Sequence, residues 1–129
     1  MINFNEKVVK TKQWDKFEEW YIKYCQKRNI LFLILSTSSN AIEWFLSLPF
    51  EFQEGVLRSF LMDKYELIAI YTFRDYDIRN IKDHNNIIDG KMGYMGYARF
   101  DPDSKEFDTK LCKTHQEAGK EILMACFNK

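Results

Sequence analysis

The chain has 129 residues and equal numbers, 19 each, of basic and acidic side chains, so it is one domain's worth of polypeptide without net charge. That balance argues against the wholesale phosphate neutralisation behind most nucleic-acid affinity, although a local basic face stays open. It also provides little colloidal repulsion, which leaves homo-oligomerisation open. The three cysteines, Cys25, Cys112 and Cys126, lack metal or redox spacing and read as reduced, buried thiols of a cytoplasmic protein. The start, MINFNEKVVK, is no secretory leader. The longest apolar run, Ile30 to Leu35, falls far short of the roughly 20 residues a membrane helix needs, so no membrane association is expected.

Thr11 is positioned to cap a helix running to Arg28. In it Trp14, Phe17, Trp20, Tyr21, Tyr24 and Cys25 share one arc, while Asp15, Glu18, Glu19 and Lys23 take the rest. Ile30 to Leu35 has no decisive period and is read as a buried extended segment. Asn40 with Glu43 has capping spacing for a short helix that Pro49 must end near Leu48. Pro49 then suits the first turn of a second helix to Met62, whose inward face is expected at Phe52, Val56, Phe60 and Leu61. Gly55 inside that helix suggests the close approach of a neighbouring element.

Glu66 to Arg74 alternates with apolar residues on both faces, which predicts a central strand. A long polar connection, Asp75 to Lys91, leads to a second strand, Met92 to Phe100, with Met92, Tyr94, Ala98 and Phe100 on one side. Gly93 and Gly96 there point to a bulge or a close neighbour. The turn DPDSKE predicts a hairpin to a third strand, Glu106 to Lys110. Thr114 and Glu117 form a capping box opening a last helix that buries Ala118, Ile122, Ala125 and Cys126. Helices first, then strands, then one helix give a single α+β domain over residues 1–129. A small antiparallel sheet of about three strands, residues 66–110, is covered on one face by the N-terminal helices and the C-terminal helix.

Two blocks, FLSLPFEFQEGVLRSFL ahead of a strand and FDTKLCKTHQEAGKEILMACFNK at the end, resemble small proteins of unknown function from Bacteroidetes phages and conjugative or mobile elements. The likeness rests on Leu48, Pro49, Phe50, Glu51, Gln53, Gly55 and Val56, and on Thr114, Glu117 and Ala118. His115 and the run Leu111-Cys112-Lys113 depart from the pattern. The resemblance implies a mobile-element setting and carries no activity.

No serine or cysteine lies in a nucleophile motif, and no glycine pattern would cradle phosphate. Glu51, Glu54 and Arg58 read as a solvated helix face, with Glu54 and Arg58 an i, i+4 pair. The expected role is therefore that of a non-enzymatic accessory protein of a phage or mobile element that binds another protein, with no cofactor and no metal. An alternative is a nucleotide-type ligand held by Tyr94, Tyr97 and Arg99 on the sheet, with Trp14, Trp20 and Tyr24 in reserve. His84 in the long connection is a further ligand candidate. Together with Asp83 and Asp89 it offers imidazole and carboxylate groups to a hydrolase or a metal-dependent enzyme, without matching metal-site spacing.

Overall fold

The structure is a computed structural model that describes residues 3–27, 38–76, 92–101 and 104–129. Among these residues are five helices and one three-stranded antiparallel sheet, an α+β fold. None of the helices is long and apolar enough to cross a membrane. Ile30 to Leu35 and the Asp83–His84–Asp89 group lie outside the described residues.

The chain opens on a single turn, α1 (Phe4–Val8), that hydrophobic periodicity over a longer window does not detect. Asn3 caps it by accepting from the Glu6 amide at 3.2 Å. Phe4 and Val8, four residues apart, both reach the core. Thr11 does not cap the next helix. Its hydroxyl donates back to the Val8 carbonyl at 2.6 Å, and α2 (Trp14–Lys27) starts three residues later. The aromatic face of α2 is as expected, with Trp14, Phe17, Tyr21 and Cys25 buried and Trp20 and Tyr24 half-buried. The α3 helix (Ser38–Ser47) places Asn40 inside it rather than at its cap, and it stops before Pro49.

Pro49 itself is the N-cap of α4 (Phe50–Tyr65), in extended geometry with φ −59° and ψ 152°. The helix outruns its expected end at Met62 and closes at Glu66, which takes the left-handed conformation (φ 57°) and donates its amide to the Leu61 carbonyl. Its inward face is Gln53, Leu57, Phe60 and Leu61, whereas Phe52 is 66% exposed. The phase differs from the hydrophobic reading because one inward position holds a polar residue. Gln53 donates to the Phe45 carbonyl and to Asn5 Oδ1, both at 3.0 Å, and Asn5 Nδ2 donates to the Leu46 carbonyl at 2.8 Å. Gly55 has no close neighbour: a Cβ there would meet nothing within 4 Å.

The strands β1 (Leu67–Tyr76), β2 (Met92–Phe100) and β3 (Glu106–Asp108) pair in the order β1-β2-β3. The central strand is thus β2, and β1 lies at an edge among the described residues. On its second apolar face Tyr71 and Phe73 are exposed, with no second layer over them among the described residues. Beyond β3, Tyr94 and Cys112 exchange backbone bonds of 2.8 and 2.7 Å. The last helix, α5 (His115–Phe127), crosses the inner face of the sheet. Thr114 caps it, accepting from the Glu117 amide at 3.1 Å, but the Glu117 carboxylate makes no return bond, so half of the capping box forms. Gly96 lets α5 approach: a Cβ there would lie 2.7 Å from Ile122 Cβ and 2.9 Å from the Ala118 carbonyl oxygen. Ala118, Ile122 and Cys126 are buried with Leu123 and Phe127, while Ala125 is half-buried. The end of α5 also meets the α1–α2 connection. The Gln13 amide donates to the Phe127 carbonyl at 3.0 Å, and its side-chain amide donates to the Lys129 carbonyl at 3.1 Å.

The Phe17 ring sits at the centre of the aromatic core. Its neighbours include Trp14 at 4.9 Å, Phe45 at 5.1 Å, Phe60 at 5.4 Å, Tyr21 at 5.6 Å and Phe127 at 5.9 Å. The high aromatic content is thus largely spent on packing between α2, α3, α4 and α5.

Candidate functional site

The structure does not bring Tyr94, Tyr97 and Arg99 together. Successive strand residues point to opposite faces, so Tyr94 takes one side of β2 while Tyr97 and Arg99 take the other. Tyr94 pairs across the ladder with Arg74 and belongs to the inner face, where its ring lies 5.9 Å from His115 and 5.6 Å from the Arg74 guanidinium. Trp14 is buried in the core and presents no surface to a ligand. His84 lies outside the described residues.

Tyr97 and Arg99 belong to the outer face of the sheet, opposite Tyr71 and Ala69. The Tyr71 and Tyr97 rings are 5.2 Å apart, and Phe73 extends the row 6.0 Å beyond Tyr71. Tyr97 donates its hydroxyl to Glu106 at 2.9 Å, and its partial desolvation together with that bond raises its phenol pKa. Ile68, Tyr71 and Phe73 are 53, 48 and 36% exposed. Their strand has a neighbour on one side only among the described residues. This surface is apolar and aromatic with a polar rim at Arg99 and Glu106.

A second surface lies between α2 and α4, in two adjoining clefts of about 320 and 420 Å³ that share Trp20, Lys23 and Lys64. Lys16 and Glu19 line the first and Tyr24, Lys27, Ser59 and Asp63 the second. Trp20 is fixed in its wall, since its indole N–H donates to Asp63 Oδ2 at 2.8 Å and its ring lies 5.6 Å from Phe60. Tyr24 lies beside it with ring centres 4.9 Å apart. Lys16 reaches over the Tyr65 ring at 5.9 Å. Lys23, Lys27 and Lys64 are exposed and in no ion pair among the described residues. Four ammonium groups thus meet two carboxylates in a chain that is balanced as a whole. The reading of α2 as an amphipathic helix passed over this ridge, although Lys16, Lys23 and Lys27 recur at seven and four residues beside Trp20 and Tyr24. That spacing was the available signal.

A third cleft, of about 440 Å³, opens at the start of α5 between Lys110, Lys113, Lys120 and Glu117. The three cysteines are buried, and Cys112 joins the wall of this cleft. Burial pushes the Cys126 thiol up to about 12 and also raises Cys112, so neither is a ready nucleophile. The block that carries the mobile-element resemblance is structural: Gln53 ties three helices together, Phe50 packs edge-on against Phe4 at 5.1 Å, and Glu51 accepts from Gln116 at 2.7 Å. The chain matches no protein-family model, no curated protein and no solved structure.

Proposed function

We propose that the chain is a non-enzymatic, cytoplasmic accessory protein of a phage or mobile element that acts by binding another protein through the outer face of β1 and the edge of it that has no partner strand among the described residues. The observation that carries this reading is the exposure of Ile68, Tyr71 and Phe73: Tyr71 and Phe73 form one outward row, Ile68 stands at the register shift beside it, and their strand lies at the edge among the described residues. Such an edge accepts an added strand: backbone bonds supply affinity, and alternate side chains supply selectivity. The mobile-element setting rests on the likeness of the Leu48–Val56 and Thr114–Ala118 blocks.

The test is parallel affinity purification from a host of that type with the natural sequence and with a Tyr71→Glu, Ile68→Lys variant. Both positions are exposed, so the variant should keep its melting temperature. The expected result is one protein retained by the natural sequence and lost by the variant. Retention of the same protein by both, or of none by either, overturns the reading.

A further inference from the structure

The groove between α2 and α4 is independent of the sheet face and has a different chemistry. We infer that it binds a phosphorylated nucleobase, either as a free nucleotide or as part of a single strand.

Three features converge on that ligand. The floor presents two large neighbouring rings, Trp20 and Tyr24, each half-buried, and Trp20 is held in place by its bond to Asp63. A nucleobase stacks on such rings without needing a particular hydrogen-bonding edge. Around them Lys23, Lys27 and Lys64 carry charges that no carboxylate neutralises among the described residues, and an anion is their natural partner. Of the two carboxylates in the groove, Asp63 is already engaged by the indole, which leaves Glu19 against Lys16, Lys23 and Lys64 in the first cleft. The two clefts, about 320 and 420 Å³, fall within the size range of small-ligand sites. A purely acidic peptide would satisfy the lysines but gain nothing from the aromatic side of the groove. The neutral chain as a whole is consistent with a short footprint in place of an extended phosphate track.

Titration by tryptophan fluorescence and by calorimetry tests this with three probes: thymidine monophosphate, a short oligothymidylate and polyglutamate. Binding of thymidine monophosphate alone supports the free nucleotide, and tighter binding of the oligothymidylate supports the single strand. For the strand, three lysine contacts predict a log–log salt slope of about −2, a measurement that needs no variant. Lys23→Glu with Lys64→Glu, both exposed, should weaken either probe at least tenfold at unchanged melting temperature. The inference is overturned if polyglutamate binds as tightly as the oligothymidylate, if neither nucleotide probe binds at millimolar concentration, or if the folded double variant binds as well as the natural sequence.

Discussion

Phe17 touches rings from three other helices, so its removal should be felt throughout the core. Phe17→Ala is expected to cost about 3–5 kcal/mol, a large part of what a domain this size has available, and denaturant melts would measure it. Gln53 is the polar counterpart. Truncation to alanine leaves Asn5 and the Phe45 carbonyl short of a donor inside the protein, for an expected loss of about 1–3 kcal/mol. Gln53 was also the residue most opaque to a reading of the sequence, because periodicity counts a glutamine as outward and nothing local tells it that two acceptors wait at the core. The cysteines make a pH prediction. An unfolded thiol ionises near its ordinary pKa of about 8.5, while folded Cys126 holds its proton up to about 12. The unfolded state therefore binds fewer protons in that window. Stability contributed by this group is complete below about pH 8.5 and is lost as pH rises towards 12, by up to about 1.4 kcal/mol per pH unit. Cys112 and Tyr21, also raised mainly by desolvation, act in the same direction. Midpoints measured from pH 7 upward should fall, and Cys126→Ala should flatten the slope; a pH-independent midpoint contradicts the assignment.

The elements announce themselves in the sequence where local chemistry decides them. Thr114 sits at the cap it was expected to occupy, and Thr114→Ala should cost about 0.5–2 kcal/mol and lower the melting temperature by a few degrees. Two glycines test opposite predictions within one measurement. Gly96→Ala would force a methyl against Ile122 and the Ala118 carbonyl, and overpacking of this kind costs about 1–3 kcal/mol. Gly55→Ala faces open space in an exposed helix interior and should gain up to about 1 kcal/mol. From sequence both glycines looked like points of close approach, and only one is, since the neighbour that matters comes from a distant part of the chain. Among the described residues the central strand is β2 and not β1, which the pattern of β1 could not tell, since it records only that its faces are apolar. The Tyr94, Tyr97 and Arg99 cluster needed no tertiary information to be rejected, because its parity along a single strand already separates Tyr94 from the other two.

At the scale of the molecule, the α+β class and the antiparallel hairpins follow from the order of the elements, whereas the basic groove depends on two helices meeting across residues that lie far apart in the chain. One feature of that assembly bears on how it is made. The last of the described elements, α5, is also the one on which the others converge: it covers the inner face of the sheet, lends Phe127 to the ring cluster and closes over Gln13 at the chain's beginning. A ribosome delivers the elements in the reverse of the order of need. Helices α1 to α4 and the sheet emerge with their apolar faces uncovered and wait for the residues from Thr114 to Lys129, which take roughly one to three seconds to add at about 5–20 residues per second. During synthesis the nascent chain is therefore expected to keep those apolar faces exposed until the last helix is added. Chains stalled after Lys113 should be cut readily by protease, and those extended past Lys129 by a spacer should resist.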